Sequence, residues 1–243
     1  VALSRQKHEF KSHWSRQHLK RNIMDNKEEN FELDVEFLQP WSTFVLKTTL
    51  PPPVLEEMIK ISDEIVENRE SATSVGHQLA GQIEDEFLIE FKLLSSTLKG
   101  FLSNMCKTYI EQAYSQHSPF NKEKFLKEKK SIEMTGMWVV SQKDNEYNPI
   151  HIHSGLLSSV MYLKIPEYLP ARKSDRVDED GAITFTNNSS TDKHWGTAQL
   201  SVTPKVGDFF IFPATQAHQV YPFRTADGKG ERRSVSFNID YVK

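Results

Sequence analysis

The sequence predicts an α+β fold in which helices come first and a β-rich half follows. Between about residues 54 and 109, apolar side chains recur in steps of three and four, the spacing of a buried helix face. From about residue 131, eight short runs rich in β-branched and aromatic residues alternate with turn residues. Such spacing is typical of a sandwich or barrel rather than of alternating βαβ units. We expect the helices to cover one face of a sheet.

Composition limits the classes of protein to which the chain can belong. Its 243 residues are 37% hydrophobic and 26% charged, which is enough for one full core. No apolar run approaches the roughly 20 residues of a membrane helix, and a single cysteine excludes a disulfide framework or a cysteine-cluster metal site. The polar first 20 residues show no signal peptide, so we expect a reducing, cytoplasmic compartment. A net charge of −3 gives no general reason to expect nucleic acid.

The charge distribution indicates an N-terminal arm over residues 1–35. Residues 1–21 are strongly basic, and an acidic stretch from Asp25 to Glu36 follows. We interpret the arm as a solvated segment or surface helix, with an anion- or nucleic-acid-binding arm as the alternative. The spacing of three histidines in the arm does not place them on one helical face, so no metal site is predicted there. They are His8, His13 and His18.

The rest of the chain, residues 36–243, is predicted to form a single domain with helical support at 50–117 and a β core at 131–243. Three consecutive prolines from position 51 end the first strand and can begin a helix. The elements expected before the β core are a strand at 44–46, a helix along 54–65, a polar loop at 70–83, a helix along 87–109 and a solvated segment at 121–130.

The β core is predicted from eight runs bounded by turn residues. The expected strands are Ile132–Gln142, Ile150–His153, Leu156–Ile165, Ala182–Thr186, Ala198–Thr203, Asp208–Phe212, Gln219–Phe223 and Arg232–Tyr241. Two polar loops, residues 166–181 and 187–197, lie between strands. Lids and substrate contacts are usually found on such loops.

Two histidines separated by one residue, His151 and His153, are the first candidate site. Residues i and i+2 of a strand point to the same face, so both rings can reach one metal ion. A third histidine, His218, follows the apolar strand Asp208–Phe212, and a sandwich can return it to the same end of the fold. The alternative is that these are solvent-facing histidines without a shared role.

The last strand carries an unusual polar line. Strand alternation places Arg232, Ser234, Ser236 and Asn238 on one face and Arg233, Val235 and Phe237 on the other. An arginine held inside a β core is expected to bind a carboxylate, which its planar guanidinium grips with two hydrogen bonds. The alternative is a polar strand face that points to solvent.

Together these elements resemble the prolyl-hydroxylase-like branch of the 2-oxoglutarate- and Fe(II)-dependent oxygenases. The likeness covers about residues 131–241, and five blocks keep the order and spacing of the family. The blocks are His151-x-His153, Ser158–Pro166, Gly207–Pro213, His218–Pro222 and Glu231–Asn238.

The resemblance implies a double-stranded β-helix, or jelly roll, that is preceded by and packed against N-terminal helices. It implies Fe(II), 2-oxoglutarate as cosubstrate and O₂. Arg232, with help from Ser234, would bind the far carboxylate of 2-oxoglutarate. Tyr162 is a second candidate for that carboxylate, with a core tyrosine as the alternative. The implied metal ligands and catalytic residues are His151, His153 and His218, joined in catalysis by Arg232.

One position departs from the pattern of the family. Most members use His-x-Asp or His-x-Glu with a distal histidine, the triad that suits non-haem Fe(II), whereas here His153 stands in place of the carboxylate. The first interpretation is a three-histidine site. The second makes His153 the first ligand, followed by Ser154 and Gly155, in a two-histidine site with an open position. Strand alternation favours the first, because it aligns His151 with His153.

The implied activity is hydroxylation of an organic substrate, a small molecule or a peptide or amino-acid side chain, with release of succinate and CO₂. Two other functions stay open. A three-histidine cupin-type dioxygenase would need no 2-oxoglutarate, but Arg232 on an inward polar line argues against it. A β-sandwich binding module would have no activity. A nucleic-acid demethylase rests only on the basic arm and is disfavoured. No membrane partner is expected, and the sequence leaves open whether the protein is a homodimer.

Overall fold

The computed structural model describes residues 18–24, 30–36, 44–117, 131–170, 179–187 and 198–242. The chain divides into two units. The smaller comprises Val1–Thr43 and Lys107–Lys130, and the larger comprises Phe44–Cys106 and Ser131–Lys243. Predictions that concern residues 1–17, 118–130, 171–178 and 188–197, including those on His8 and His13, lie outside the described residues.

In the smaller unit, β1 (His18–Met24) and β2 (Asn30–Glu36) form an antiparallel hairpin in which Leu19 lies opposite Val35. The surface-helix interpretation is therefore wrong for these residues. In β2, apolar residues alternate strictly with acidic ones, which is the period of a strand and not of a helix.

In the larger unit, β3 (Leu46–Thr49) leads into α1 (Pro52–Glu67), whose first residue is a proline. Proline suits this position because the N–H groups of the first helical turn have no acceptor within the helix, so the N–H that proline lacks is not needed. The predicted helical stripe is buried at Val54, Met58 and Ile61.

The second predicted helix begins later than the sequence indicated. Phe87 belongs to strand β4 (Asp85–Leu88), and α2 (Ser96–His117) starts only after a short 3₁₀ turn. The Ser95 hydroxyl accepts a hydrogen bond from the Leu98 amide at 3.1 Å and caps the helix. The prediction of a helix from Phe87 was wrong because Phe87 pairs with Val139 in a sheet, a long-range contact that local periodicity does not reveal.

The six-stranded sheet has the order β3-β10-β7-β12-β5-β4, and all its neighbours are antiparallel. Its long central strands are β5 (Ile132–Lys143), β7 (Leu157–Lys164), β10 (Asp208–Pro213) and β12 (Glu231–Tyr241). Strand β12 pairs along almost its whole length with β5 on one side and β7 on the other, so its alternating side chains are fixed in direction.

The four-stranded sheet has the order β6-β11-β8-β9. Its strands are β6 (Asn148–His151), β8 (Ile183–Thr186), β9 (Gln199–Val202) and β11 (His218–Val220). The two sheets share a core, because Ile183 and Phe185 of β8 pack in one buried cluster with residues of β7 and β10. Those partners are Val160, Tyr162, Phe210 and Phe212.

The structure confirms a mostly β fold with few helices, and each of the eight strands predicted after residue 131 has a counterpart within a few residues. Among the described residues, no helix combines the length and the apolar character that a membrane crossing requires.

Candidate active site

A cavity lies between the two sheets and collects most of the polar residues that the sequence singled out. Its floor is the inner face of β4, β5, β12 and β7, where side chains directly opposite on neighbouring strands point the same way. One row across these strands consists of Glu86, Val140, Ser234 and Tyr162. A parallel row pairs Gln142 with Arg232. The smaller sheet contributes His151, Ile183 and His218 to the lining.

Three histidines meet in this cavity. The ring centroids are 4.3 Å apart for His151 and His218, 4.9 Å for His151 and His153, and 5.1 Å for His153 and His218. One ligand nitrogen from each ring lies within 4.8 Å of the others. Ile150 and Ile152, which flank His151 along the chain, are exposed, as expected if alternation turns both histidines inward. His151 and His218 are directly opposite across β6 and β11.

Backbone carbonyls fix which ring nitrogen is free on two of the histidines. Nδ1 of His151 lies 2.7 Å from the Pro149 carbonyl oxygen, and Nδ1 of His218 lies 2.9 Å from that of Gln216. A carbonyl oxygen only accepts, so each Nδ1 donates, and each Nε2 keeps its lone pair. Bonds of this kind orient the rings of metal-ligating histidines.

Burial keeps the three rings neutral. Burial is the main cause, and repulsion by neighbouring histidines adds to it. Together they lower the pKa of His153 to about 4 and that of His218 to about 3. Burial also lowers the pKa of His151, despite the opposing effect of its bond to Pro149. At neutral pH all three are therefore unprotonated, the state in which imidazole binds a metal ion.

Arg232 is 2% exposed and lies on the cavity floor. It donates to the side-chain oxygen of Gln142 and, at 2.6 Å, to the carbonyl oxygen of Gly181. No carboxylate among the described residues pairs with it, and its Nε–H has no partner. Gly181 has a φ of 69°, and a Cβ there would lie 2.4 Å from the Tyr168 hydroxyl, so glycine is required for this carbonyl to reach Arg232.

The two other residues expected beside 2-oxoglutarate also lie here. The ring of Tyr162 lies 5.5 Å from the Arg232 guanidinium carbon, and its buried hydroxyl has no hydrogen-bond partner. Burial raises the pKa of Tyr162 to about 12, so its hydroxyl stays protonated and able to donate. Ser234 is adjacent to Tyr162 across β12 and β7 and lines the same cavity.

Comparison with known families agrees with this arrangement. Residues 136–238, which run from β5 into β12, match the family described as putative 2OG-Fe(II) oxygenase. The predicted resemblance to the 2-oxoglutarate- and Fe(II)-dependent oxygenases is confirmed. The match includes the three histidines and Arg232, and the family takes its name from the two cofactors that the sequence predicts. This family match supports the interpretation of the chain as an oxidoreductase.

The chain is similar to solved structures at low sequence identity. A prolyl-4-hydroxylase from Pseudomonas putida superposes with a TM-score of 0.51 at 11% identity, over 82% of this chain and 93% of that chain. A prolyl hydroxylase from Trichoplax adhaerens, solved with a peptide fragment of the hypoxia inducible factor oxygen degradation domain, gives a TM-score of 0.49 at 12% identity over 82% of each chain. No curated protein sequence matches the chain.

Arg233, the neighbour of Arg232, faces away from this cavity. Arg233 is 6% exposed and donates to carboxylate oxygens of Asp63 and Glu231. Ser141 and Lys164 also donate to Glu231, at 2.6 and 2.7 Å. Alternation along β12 thus separates the two arginines.

Three residues of the cavity were missed by the sequence analysis. Gln142 was only the end of a predicted strand, and its contact with Arg232 depends on the register between β5 and β12. Trp138, whose ring centroid is 5.8 Å from that of His153, was treated as an ordinary strand residue. Glu86 belongs to β4 and lies between the predicted loop at 70–83 and the predicted helix along 87–109. Cross-strand register was the signal needed in each case.

Proposed function

We propose that the protein is an Fe(II)- and 2-oxoglutarate-dependent dioxygenase that hydroxylates a peptide or amino-acid side chain and releases succinate and CO₂. One observation supports this most directly: three neutral histidines and a buried arginine without a carboxylate line the same cavity. The two facing sheets with a shared core support a jelly-roll fold for residues 131–243.

The donor set suits iron. His151, His153 and His218 would hold the ion, the first and last through Nε2, because their Nδ1 atoms donate to carbonyls. Non-haem iron accepts imidazole ligands, and three neutral ligands leave its charge uncompensated by the protein. That charge favours binding of an anionic cosubstrate. When bound, Fe(II) and 2-oxoglutarate together supply the activation of O₂.

The arginine end of the cavity suits a dicarboxylate. Arg232 carries a buried positive charge, and its Nε–H and the Tyr162 hydroxyl are two buried donors without partners. A buried cation is stable only when it is paired, and a carboxylate satisfies both its charge and its hydrogen-bonding capacity. Arg232, Tyr162 and Ser234 would therefore bind and orient the far carboxylate of 2-oxoglutarate, while Trp138 and Val160 exclude water.

The test is to measure succinate formed from 2-oxoglutarate by protein loaded with Fe(II), with and without candidate peptides. We expect slow succinate release that depends on both iron and 2-oxoglutarate. Turnover that continues without 2-oxoglutarate would indicate the three-histidine cupin-type dioxygenase instead. Protein that binds neither iron nor 2-oxoglutarate would contradict the proposal and leave the binding module as the alternative.

The ligand set has its own test. If His153 occupies the place of the usual carboxylate, His153→Asp should retain iron and some release of succinate without substrate. If His153 is instead the first ligand of a two-histidine site, His151→Ala should keep activity. An active His151→Ala protein therefore overturns the three-histidine assignment.

The remaining expectations about partners and location stay predictions. A peptide substrate follows from the resemblance to prolyl hydroxylases, and a reducing, cytoplasmic compartment follows from the single cysteine. The oxygenase domain at 36–243 with a charged arm at 1–35 is likewise a proposal.

A further inference from the structure

Glu86 is the carboxylate that the proposed reaction does not use. It lies on β4 opposite Val140 of β5, on the same face of the sheet as the cavity floor. Its side chain is fully buried, and neither carboxyl oxygen accepts a hydrogen bond from any described residue. Leaving a buried carboxyl without a partner destabilises a fold, so such a group is expected where a ligand satisfies it.

A second acceptor lies beside Glu86. The side-chain oxygen of Asn148 is buried and has no partner among the described residues. Both oxygens flank Gly81: a Cβ built on this glycine would be 3.1 Å from Glu86 Oε1 and 3.2 Å from Asn148 Oδ1. Because Gly81 has no side chain, space remains beside these two acceptors that a Cβ would fill.

The charged group that acts on Glu86 is another carboxylate. The nearby Glu146 carboxylate repels it, and burial together with this repulsion raises the pKa of Glu86 to about 7. The nearby cations pair with a different carboxylate, that of Asp85. Arg69 and Lys143 lie 3.3 and 4.0 Å from it. Asp85 precedes Glu86, so its side chain points to the other face of the sheet. No described cation pairs with Glu86.

The cavity wall near Glu86 is apolar. Leu79, Ile83 and Trp138 line it together with Val140. Alkyl groups of a long basic side chain pack well against such a wall, and an indole ring attracts a cationic nitrogen through its face. Trp138 also contacts His153, so it connects the Glu86 side of the cavity with the metal ligands.

We propose that Glu86 and Asn148 recognise the substrate, and that the substrate carries an amine or guanidinium group on an aliphatic stem. This rests on the proposed function, because the stem would then lie beside the reacting centre. The Glu86 carboxylate accepts charge-assisted hydrogen bonds from the cationic nitrogen, and Asn148 accepts a further one.

Binding of matched probes tests this assignment. Nα-acetyl-lysinamide and Nα-acetyl-argininamide are compared with the uncharged Nα-acetyl-norleucinamide and Nα-acetyl-citrullinamide, by calorimetry on protein loaded with Mn(II) and 2-oxoglutarate. We expect the wild-type protein to bind at least one charged probe about tenfold more tightly than its uncharged partner. Glu86→Gln should abolish this preference, and Glu84→Gln, which changes an exposed carboxylate two residues away, should keep it.

Three results overturn the inference. They are equal binding of charged and uncharged probes to the wild-type protein, an unchanged preference in Glu86→Gln, and no binding of any of the four probes. A titration of the wild-type protein with 2-oxoglutarate in the absence of probes distinguishes failure of this inference from failure of the proposed function. If only the inference is wrong, 2-oxoglutarate still binds. If the proposed function is wrong, 2-oxoglutarate does not bind.

Thermal stability gives a readout that needs no ligand. If Glu86 is retained for recognition, Glu86→Gln and Glu86→Met should raise the Tm of the metal-free protein at pH 8, since each removes an unsatisfied carboxylate. If Glu86 instead holds the fold together, both variants should lower the Tm, and the assignment would be wrong. Glu84→Gln serves again as the control and should leave the Tm unchanged.

Discussion

The two faces of the β5–β12–β7 layer treat buried charge in opposite ways. On the outer face, an ion-pair cluster consisting of Asp63, Lys164, Glu231 and Arg233 satisfies its members with one another. On the inner face, the cavity floor holds Arg232, which pairs with no carboxylate of the described residues, and Glu86, whose carboxyl oxygens accept no hydrogen bond from them. The two arginines are consecutive residues of β12. The outer face is complete without a ligand, whereas the inner face is not.

Glu86, which is fully buried, and Glu231, whose side chain is 12% exposed, show the same contrast. Burial raises the pKa of Glu231, but hydrogen bonds from Lys164, Ser141 and Arg233 outweigh burial and bring it to about 2. Burial and repulsion from Glu146 raise the pKa of Glu86 to about 7. Hydrogen-bond partners and nearby charges therefore decide whether a carboxyl shielded from water stabilises or destabilises the folded state. The difference between the two pKa values is expected if the outer cluster stabilises the fold and if Glu86 and the other cavity residues bind ligands.

The largest expected effect on the inner side is loss of the metal ion. His218→Ala removes one of three ligands, and we expect Fe(II) binding to weaken by more than about 100-fold, since loss of even an outer partner of a ligand costs about 10–100-fold. Turnover should disappear with it. Iron content after gel filtration is the measurement, and His77→Ala, at an exposed histidine, is the control. Full iron occupancy in His218→Ala would remove this residue from the site.

Breaking the outer cluster should affect folding and leave ligands alone. Arg233→Ala leaves Glu231 with fewer partners in a buried position, and we expect the free energy of unfolding to fall by on the order of 3 kcal/mol. Urea denaturation measures this change. The exposed pair of Lys60 and Glu64 is the control, because Lys60→Ala should cost less than about 1 kcal/mol.

The folded fraction of Arg233→Ala should bind iron and 2-oxoglutarate as the wild-type protein does. An Arg233→Ala protein of normal stability, or one that loses 2-oxoglutarate binding while folded, would abolish the distinction between the two faces.

The inner arginine should show the reverse behaviour. Arg232→Ala should raise the 2-oxoglutarate concentration needed for half-saturation by about tenfold or more, because hydrogen bonds to a charged group contribute about 1.5–3 kcal/mol. Arg232→Lys keeps the charge but loses the planar fork, so an intermediate effect is expected. The measurement is a 2-oxoglutarate titration of iron-loaded protein, with Arg233→Ala alongside. Wild-type affinity in Arg232→Ala would exclude Arg232 from the 2-oxoglutarate site.

The sequence predicted features that depend on strand alternation within one strand. A period of two is enough to place His151 with His153, and Arg232 apart from Arg233, and the structure has both arrangements. The recurrence of apolar side chains in steps of three and four likewise predicted α1, because this pattern lies within one segment of the chain.

Features that depend on pairing between distant strands were missed. Glu86 belongs to a short strand whose pattern merges with that of the following helix, and only its pairing with β5 turns the carboxyl into the cavity. Gln142 and Gly181 reach Arg232 from positions 90 and 51 residues away. Local periodicity holds no information on such contacts, since register is set by the assembled sheet.

The smallest expected effect separates the two glutamates by pH. The folded-state pKa of Glu231, about 2, lies below its ordinary value of 4.5, so its contribution to stability is present above pH 4.5 and is lost as the pH falls toward 2. The folded-state pKa of Glu86, about 7, lies above 4.5, so ionisation opposes folding and stability falls as the pH rises from 4.5 through 7. The three histidines, with lowered pKa values, add stability as the pH rises through the same window.

The informative quantity is therefore the difference in Tm between a variant and the metal-free wild-type protein at each pH. For Glu86→Gln this difference should grow in favour of the variant by about 2–4 °C between pH 4.5 and 8, the shift that 1 kcal/mol produces in a chain of this size. For Glu231→Gln the variant should be less stable than wild type at pH 6 and should approach it as the pH falls toward 2. Equal and flat differences for both variants would mean that the two carboxyls have similar environments, and the contrast between the two faces of the sheet would fail at its most direct test.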